Sequence, residues 1–225
     1  MIVCGGRHQP DDHDVIDRIA SLATSTLANA LDDAGYHDNV MPGLHSVAAG
    51  SRFAGPAVTA RESCGEFGDF GSEDFRVGAI IDAAKAGDVI VIDGGGGLGS
   101  TWGGMASYAA KFKGVAGLVV DGSVRDLEEI IEFDFPVFAR HLVPTTGRLR
   151  LKVEAINEPI VIYGVRVEPG DIIVGDGTGV VCLPQNDAEK IVSLAEQIGQ
   201  DDASALEDMK AGMSFSEAMA KYTKI

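Results

Sequence analysis

Hydrophobic and polar positions change period several times along the chain, and each change predicts an element. From Asp11 to Ala34 the apolar residues recur at three- and four-residue spacing, with Val15, Ile16, Ile19, Ala20 and Ala23 on one face and Leu27, Ala30, Leu31 and Ala34 on another. That is the period of a helix. Thr24-Ser25 inside the run predicts the cap of a second helix, which Gly35 ends. Met41-Pro42-Gly43 reads as a turn, and Phe53 to Ala60 as a strand. Gly55-Pro56 at its start predicts an edge or bulged strand, because proline cannot donate to a ladder. Ser63 to Gly71 is a glycine-rich loop, after which Glu73-Asp74 opens a helix through Val77, Ile80, Ile81 and Ala84 that stops at Gly87.

The stretch from Gly87 to Asp126 is the most organised part of the pattern. Two β-branched runs, Val89 to Ile92 and Leu118 to Val120, flank an apolar helical segment, Met105 to Lys113. A strand–helix–strand unit of this length has parallel strands, and ligands gather in the loops at their carboxyl ends. Those loops are Gly94–Gly104 and Asp121–Asp126. Beyond them Leu127, Ile130 and Ile131 mark a short acidic helix, and Pro136-Val137-Phe138 a strand. From Leu149 to Leu183 the chain is a series of β runs separated by turns at Glu158-Pro159, Glu168-Pro169-Gly170 and Gly175-Asp176-Gly177. Asn186 to Tyr222 is helical with breaks near Gly199 and Gly212, and Ser214 with Glu217 forms a capping box. Gly87-Asp88-Val89-Ile90-Val91-x-Asp93-Gly94 recurs as Gly170-Asp171-Ile172-Ile173-Val174-x-Asp176-Gly177, an echo that a shared turn-into-strand solution explains without a repeat. No shift in composition marks a linker. The expected organisation is therefore one α/β domain over 1–225, with a core at 24–184 and a helical tail at 185–225.

Charge narrows the function classes. Against 34 Asp and Glu the chain has 18 Lys and Arg, a net −16 at pH 7. That excludes an extended nucleic-acid surface and disfavours anionic membranes, and it makes any anion site a local exception needing its own arginine or metal. No apolar run approaches the ~20 residues of a spanning helix. Met1-Ile2-Val3-Cys4 runs into Gly5-Gly6-Arg7 without the core of a signal peptide. Cys4, Cys64 and Cys182 are odd in number and scattered, which fits a reducing, cytoplasmic setting.

The Gly94–Gly104 loop lacks the Gly-Lys-Ser/Thr ending of a P-loop and the third glycine of a dinucleotide fingerprint. It is either a flexible surface loop or a helix start at which the N–H groups of Gly103, Gly104, Met105 and Ala106 face an anion. Trp102, the single tryptophan, belongs either to a pocket wall or to the core. Arg125-Asp126 is either a surface arginine beside a capping aspartate or a division of labour. In the second case Arg125 grips a carboxylate bidentately and Asp126 is a hard oxygen ligand for a cation such as Mg²⁺. The five histidines (His8, His13, His37, His45 and His141) form no ligand cluster in sequence, so no zinc is assigned. No Gly-x-Ser-x-Gly elbow or Cys/His signature supports nucleophilic catalysis.

One ordered series carries a resemblance. It comprises Gly87-Asp88-Val-Ile-Val-x-Asp93, Trp102-Gly103-Gly104-Met105-Ala106, Gly114-x-x-Gly117-x-x-Val120-Asp121-Gly122-x-x-Arg125-Asp126, Phe135-Pro136-Val137-Phe138 and Pro169-Gly170-Asp171-x-Ile-Val-x-Asp176-x-x-Gly179-Val180-Val181-x-x-Pro184. Over about Thr24 to Pro184 it resembles the RraA-like family. That family includes class II, metal-dependent 4-hydroxy-4-methyl-2-oxoglutarate/4-carboxy-4-hydroxy-2-oxoadipate aldolases that also decarboxylate oxaloacetate, and regulators of ribonuclease E activity. The resemblance implies an α/β/β swivelling fold with C-terminal helices. It also implies a homotrimer or a hexamer (a dimer of trimers) with the site between subunits. By it, Arg125 matches the substrate-carboxylate arginine and Asp126 the aspartate that holds Mg²⁺ or Mn²⁺. Gly103, Gly104, Met105 and Ala106 match the loop whose amides hold the pyruvyl group. Two departures stand out: aldolase members carry an acid where this chain has Gly104, and another where it has Asn29. Asp202, from a neighbouring subunit, matches a third loosely. The expected function is a divalent-metal-dependent lyase that cleaves a C–C bond of a small 2-oxo acid to give a pyruvate enolate. The alternative is a non-catalytic acidic trimer that docks on a protein partner such as a ribonuclease.

Overall fold

In the computed structural model, which describes residues 12–222, the sheet is built around β2 (Phe53–Cys64). Cys4 and His8 lie outside the described residues. β2 runs parallel to β3 (Val89–Asp93) from Ala57 onward. It pairs antiparallel with β10 (Ile172–Asp176) through Phe53 to Pro56 and with β7 (Leu151–Ile156) through Ala60 to Cys64. Of the two expectations, edge or bulged, the first fails, since β2 is central; its ladder with β7 does shift register, between Arg61 and Glu62. Its proline is tolerated for a geometric reason. Ala57 donates its N–H to the Asp171 carbonyl on the β10 side, so the missing donor of Pro56 faces the opposite side. There the β3 ladder starts only at Ala57 opposite Val89. Gly55 permits the close approach at this junction, since a Cβ would sit 2.1 Å from the Gly87 carbonyl oxygen.

The expected strand–helix–strand unit is present as β3, α4 (Gly104–Lys113) and β5 (Gly117–Val124), with β3 and β5 in parallel register from Val89 opposite Gly117 to Asp93 opposite Asp121. β6 (Val137–Leu142) extends the parallel set, and the short β1 (His45–Ser46) closes that edge. Two features differ from expectation. Within the glycine loop, β4 (Ser100–Trp102) forms and pairs with the end of β5. β5 accordingly runs on to Val124 and is buried along its whole length, as central parallel strands are. Only Arg125 and Asp126 separate it from α5 (Leu127–Glu132).

Strict alternation along β3 sends Ile90 and Ile92 to one face and Val89 and Val91 to the other. The first face is covered by α3 (Val77–Ala83), α4 and α5 around Ile80, Trp102, Ile130 and Phe135. The second is covered by the hairpin of β8 (Ile160–Ile162) and β9 (Val165–Val167), together with Phe53 and Phe138. A third apolar cluster joins α1 (Asp12–Ser21), α2 (Thr24–Ala34) and α6 (Ala188–Lys210) to β10 and β11 (Gly179–Leu183). The result is the expected α/β architecture with C-terminal helices. α6 passes through Gly199 without the expected break. Burial of Ala195, Ile198 and Ala205 outweighs the ~1 kcal/mol that a glycine costs inside a helix. The break comes at Gly212, whose φ is 108°, before the Ser214/Glu217 capping box of α7 (Phe215–Lys221). Among the described residues no helix is long and apolar enough to cross a membrane.

The internal echo is one turn used twice. Gly87 and Gly170 both have positive φ. The following Asp88 and Asp171 accept the N–H of Lys85 and Glu168, at 2.7 and 2.8 Å, before β3 and β10 begin.

Thr24 does not cap α2 as expected. Asp176, the last residue of β10, does so across the fold. Its carboxylate accepts Thr24 N–H at 2.9 Å and Thr24 Oγ1–H at 2.7 Å, with Thr178 N–H at 2.8 Å. Burial works against ionisation there, but these bonds prevail and hold the carboxyl below its ordinary range. Asp176→Ala is expected to cost about 1–2 kcal/mol at pH 7. The difference in Tm from wild type should shrink as pH falls below about 4, because a depressed carboxyl stabilises only where it stays ionised. Thermal unfolding at pH 7 and pH 3 measures both.

Candidate active site

Parallel pairing of β4 with β5 puts the end of the glycine loop beside the end of β5. Arg125 donates its backbone N–H to the Trp102 carbonyl at 3.0 Å, which fixes the two segments together. A cavity of about 180 Å³ opens there, lined by Phe75, Val77, Ser100 to Gly103, Met105, Ala106, Arg125 and Asp126. Gly103, Met105, Ala106, Arg125 and Asp126, named from sequence, therefore share one cavity, and Gly104 stands at its rim. Trp102 turns out to be both wall and core. It is fully buried, stacks on Phe135 at 6.2 Å between centroids, and donates Nε1–H to Ser107 Oγ at 3.0 Å.

Asp126 has a left-handed backbone, φ 56° and ψ 48°, a conformation in which aspartate is tolerated better than most residues. Held so, its side chain does not cap its own helix. Oδ2 instead accepts the Gly104 N–H at 3.2 Å, at the start of α4, and lies 3.4 Å from Arg125 Nε. The Gly104 amide expected to face a ligand anion thus faces Asp126. Gly103 has extended backbone that any residue adopts, but a Cβ there would lie 2.5 Å from Asp126 Oδ2. At Gly104 a Cβ would lie 1.6 Å from Glu129 Oε2 and 2.7 Å from Glu129 Cβ. An acid at position 104 has no room while Glu129 keeps this place.

The second polar element is buried. Glu62, on β2, is 7% exposed and accepts the Thr101 hydroxyl proton at 2.5 Å. Burial pushes its carboxyl up to about 7; the Thr101 bond opposes the shift and the charge of Asp93 adds to it. Further along the sheet Asp121 is also raised by burial, against the attraction of Arg140, whose guanidinium lies 3.3 Å away. Glu62 was not singled out in sequence because β2 was expected to end at Ala60. The alternation Val58-x-Ala60-x-Glu62 would have placed it inward.

Other candidates lie elsewhere. Asn29 and Asp202 are exposed on α2 and α6, on the helical layer packed against β10 and β11. Asp69 and Asp74 accept the N–H groups of Glu66 and Gly71 within their own loop. Among the described residues no group of three or more His, Cys, Asp or Glu side chains could hold a metal ion. What fits the cavity is a hydrated hard cation with one protein ligand. The contacts to Asp126 among the described residues go through Oδ2, which leaves Oδ1 for such an ion.

Gly104→Ala is expected to destabilise the chain by about 1–3 kcal/mol through overpacking, although alanine is intrinsically the better helix residue by up to ~1 kcal/mol. The penalty should shrink in a Glu129→Ala background, as a double-mutant cycle in urea would show. Equal penalties in both backgrounds would mean that Glu129 is not the obstacle.

Comparison with known proteins places the chain in a family. The family model described as RraA-like, Aldolase/RraA, matches residues 24–182. A Halalkalibacterium halodurans protein provisionally named 4-hydroxy-4-methyl-2-oxoglutarate aldolase is 30% identical over 190 residues, covering 84% of this chain and 85% of its own. A solved structure of an uncharacterised Pseudomonas syringae pv. tomato protein superposes with a TM-score of 0.86 at 29% identity, covering 99% of this chain and 100% of that one. A Streptomyces coelicolor protein described as an unusual member of the RNase ES inhibitor RraA family superposes at 0.75 with 26% identity, over 92% of this chain and 100% of its own. With the fold shared along the chain and the family model spanning most of it, this protein belongs to the RraA-like family.

Proposed function

We propose that this protein is a divalent-metal-dependent lyase that cleaves a C–C bond of a small 2-oxo acid to release pyruvate. The observation that carries the proposal is the pairing of Arg125 and Asp126 at the end of β5, facing the start of α4 across a small, largely apolar cavity. In a chain of net charge −16 an arginine at a cavity mouth is the group that makes an anion welcome. Arg125 offers a planar fork that matches a carboxylate. Asp126 would hold Mg²⁺ or Mn²⁺, which supplies Lewis acidity to the 2-oxo group of a bound substrate. Phe75, Val77, Met105 and Ala106 supply the apolar part of the cavity wall.

The groups present favour one reaction over another. Retro-aldol cleavage needs a base to take the proton of the departing alcohol, and such help is typically worth ~10²–10⁴-fold. Decarboxylation of oxaloacetate needs no such base. With glycine at 104, Asn29 remote, and Asp69 and Asp74 accepting bonds within their own loop, decarboxylation is expected to exceed cleavage of 4-hydroxy-4-methyl-2-oxoglutarate in kcat/KM. A base supplied by Glu73, or by Glu129 beside Gly104, would reverse that order. The aldolase name of the H. halodurans relative supports the reaction class. The description of the S. coelicolor relative, together with the acidic surface, supports the second reading, a regulator that docks on a ribonuclease.

A neighbouring subunit is part of the proposal. Met105, Tyr108 and Phe112 leave α4 exposed at i, i+3 and i+7, and Met105 also lines the cavity. Tyr108 stacks on Phe112 and meets Phe133 edge-on. An apolar stripe of this kind beside a site supports closure by a second copy, in a homotrimer or hexamer.

Pyruvate release from a panel of 2-oxo acids tests the function. It should disappear in EDTA and return with Mg²⁺ or Mn²⁺. Asp126→Asn should abolish it, and Arg125→Lys should chiefly raise KM. Turnover that survives exhaustive chelation would overturn the metal role, and a silent panel would leave the regulator. Light scattering at micromolar concentration should give a trimer or hexamer that Phe112→Asp dissociates, with loss of activity. A fully active monomer would refute the shared site.

A further inference from the structure

We infer that Glu62 is a positioning residue of this site. Through the Thr101 hydroxyl it sets whether the cavity offers an uncharged hydrogen-bond donor to an anionic ligand oxygen. The class of ligand rests on the proposed 2-oxo acid reading, whereas the Glu62–Thr101 switch stands on its own geometry.

Thr101 lies between Ser100 and Trp102 in the cavity wall. The Ser100 hydroxyl spends its proton on the Trp102 carbonyl at 2.7 Å. The Thr101 proton goes to Glu62 at 2.5 Å. A hydroxyl has one proton to give, and an ionised carboxylate can only accept. While Glu62 is ionised, the Thr101 proton is held inward. When Glu62 is protonated, its own O–H donates to Thr101 Oγ1 and the threonine proton is released for a ligand oxygen. No bond to carbon is made or broken, and one proton is exchanged with solvent.

The surroundings place this change near neutrality. Among the described residues no ion pair reaches Glu62. On β3, Asp93 opposes its ionisation. Across from it on β7 stands Val153, whose carbonyl occupies the Arg76 guanidinium at 2.7 Å. Lys152 and Glu154, the other charged residues of that strand, pair with each other at 3.1 Å. Asp121, Arg140 and His141 form the next group along the sheet. Burial, largest of the causes, pushes the Glu62 carboxyl up to about 7. The donor is therefore available below pH 7 and withdrawn as pH rises through that value. An anionic ligand favours the protonated form, so its binding above pH 7 takes up a proton.

Trp102 is the single tryptophan and the next residue after Thr101, so its emission reports the switch in the ligand-free protein. A titration from pH 5 to 9 is expected to show a transition near pH 7 that Glu62→Gln removes. Thr101→Val, which deletes the bond favouring the carboxylate, should move it upward. A transition that survives Glu62→Gln belongs to another group, such as His141, and overturns the inference. The second measurement is the affinity of oxalate, a planar 2-oxo acid mimic, in the presence of Mg²⁺. Wild-type binding should weaken about tenfold between pH 6 and pH 8. Glu62→Gln, whose amide donates to Thr101 as the protonated acid does, should bind tightly at both values, and Thr101→Val weakly at both. A merely structural Glu62 predicts weaker binding at every pH with the slope unchanged, which would overturn the switch. If oxalate does not bind at all, the 2-oxo acid reading falls and the emission titration alone decides Glu62.

Discussion

The parallel pairing of β4 with β5 is the contact on which the candidate site depends. It sets Ser100 opposite Ser123 and Trp102 opposite Val124, and through the 3.0 Å bond from Arg125 N–H to the Trp102 carbonyl it locks the two loops edge to edge. Ser100 is held from its other side as well, donating to Thr145 and accepting from Gly147. Arg125, Asp126, Thr101 and the start of α4 thus hang on a few backbone hydrogen bonds at the rim of a rigid sheet. A site placed by strand ends is more precise than one on free loops, and β4 and the end of β5 supply its polar groups.

The parts of the fold that could be read in the sequence are those whose cause is local. Period gives α1, α2 and α4, Gly35 the end of α2, and Ser214 with Glu217 the last cap, because amphipathicity and these caps are written in neighbouring residues, whereas the start of α2 is met by the distant Asp176. Gly87-Asp88 and Gly170-Asp171 give their turns for the same reason. What failed depended on partners distant in sequence. Pro56 reads as an edge residue, yet β2 is central because the unused side of the proline coincides with the beginning of the β3 ladder. Gly199 reads as a break, yet tertiary burial of α6 overrides it. β4 is three residues inside a glycine loop and has no pattern of its own. The residues of the site followed the same division. Arg125 and Asp126 could be found because a strand end announces them, whereas Glu62 acquires its meaning only when β2 carries it under Thr101.

Charge is distributed unevenly around the cavity. Behind it, inside the sheet, lie Glu62, Asp93 and Asp121, of which Asp121 alone has a cation within ion-pair reach among the described residues. In front stands Arg125, half exposed. The interior carboxyls raise the cost of an anion, and the arginine lowers it. An exposed arginine is screened by solvent and salt, whereas a buried carboxyl is screened much less. The protonation state of Glu62 therefore carries more weight in the local field than its distance from the cavity mouth would indicate.

The glycine at 104 is a consequence of how α4 is started. An N-terminal turn needs acceptors for its free N–H groups and favours negative charge. Here α5 provides both from outside the helix. Asp126 reaches the Gly104 amide, and Glu129, one turn on, covers the Gly104 Cα so closely that a side chain has no space. Negative charge at that point serves the start of the helix. A cavity arranged this way keeps Arg125 and Asp126 together beside the start of α4. The Glu129 carboxylate takes the place that a side chain at 104 would fill.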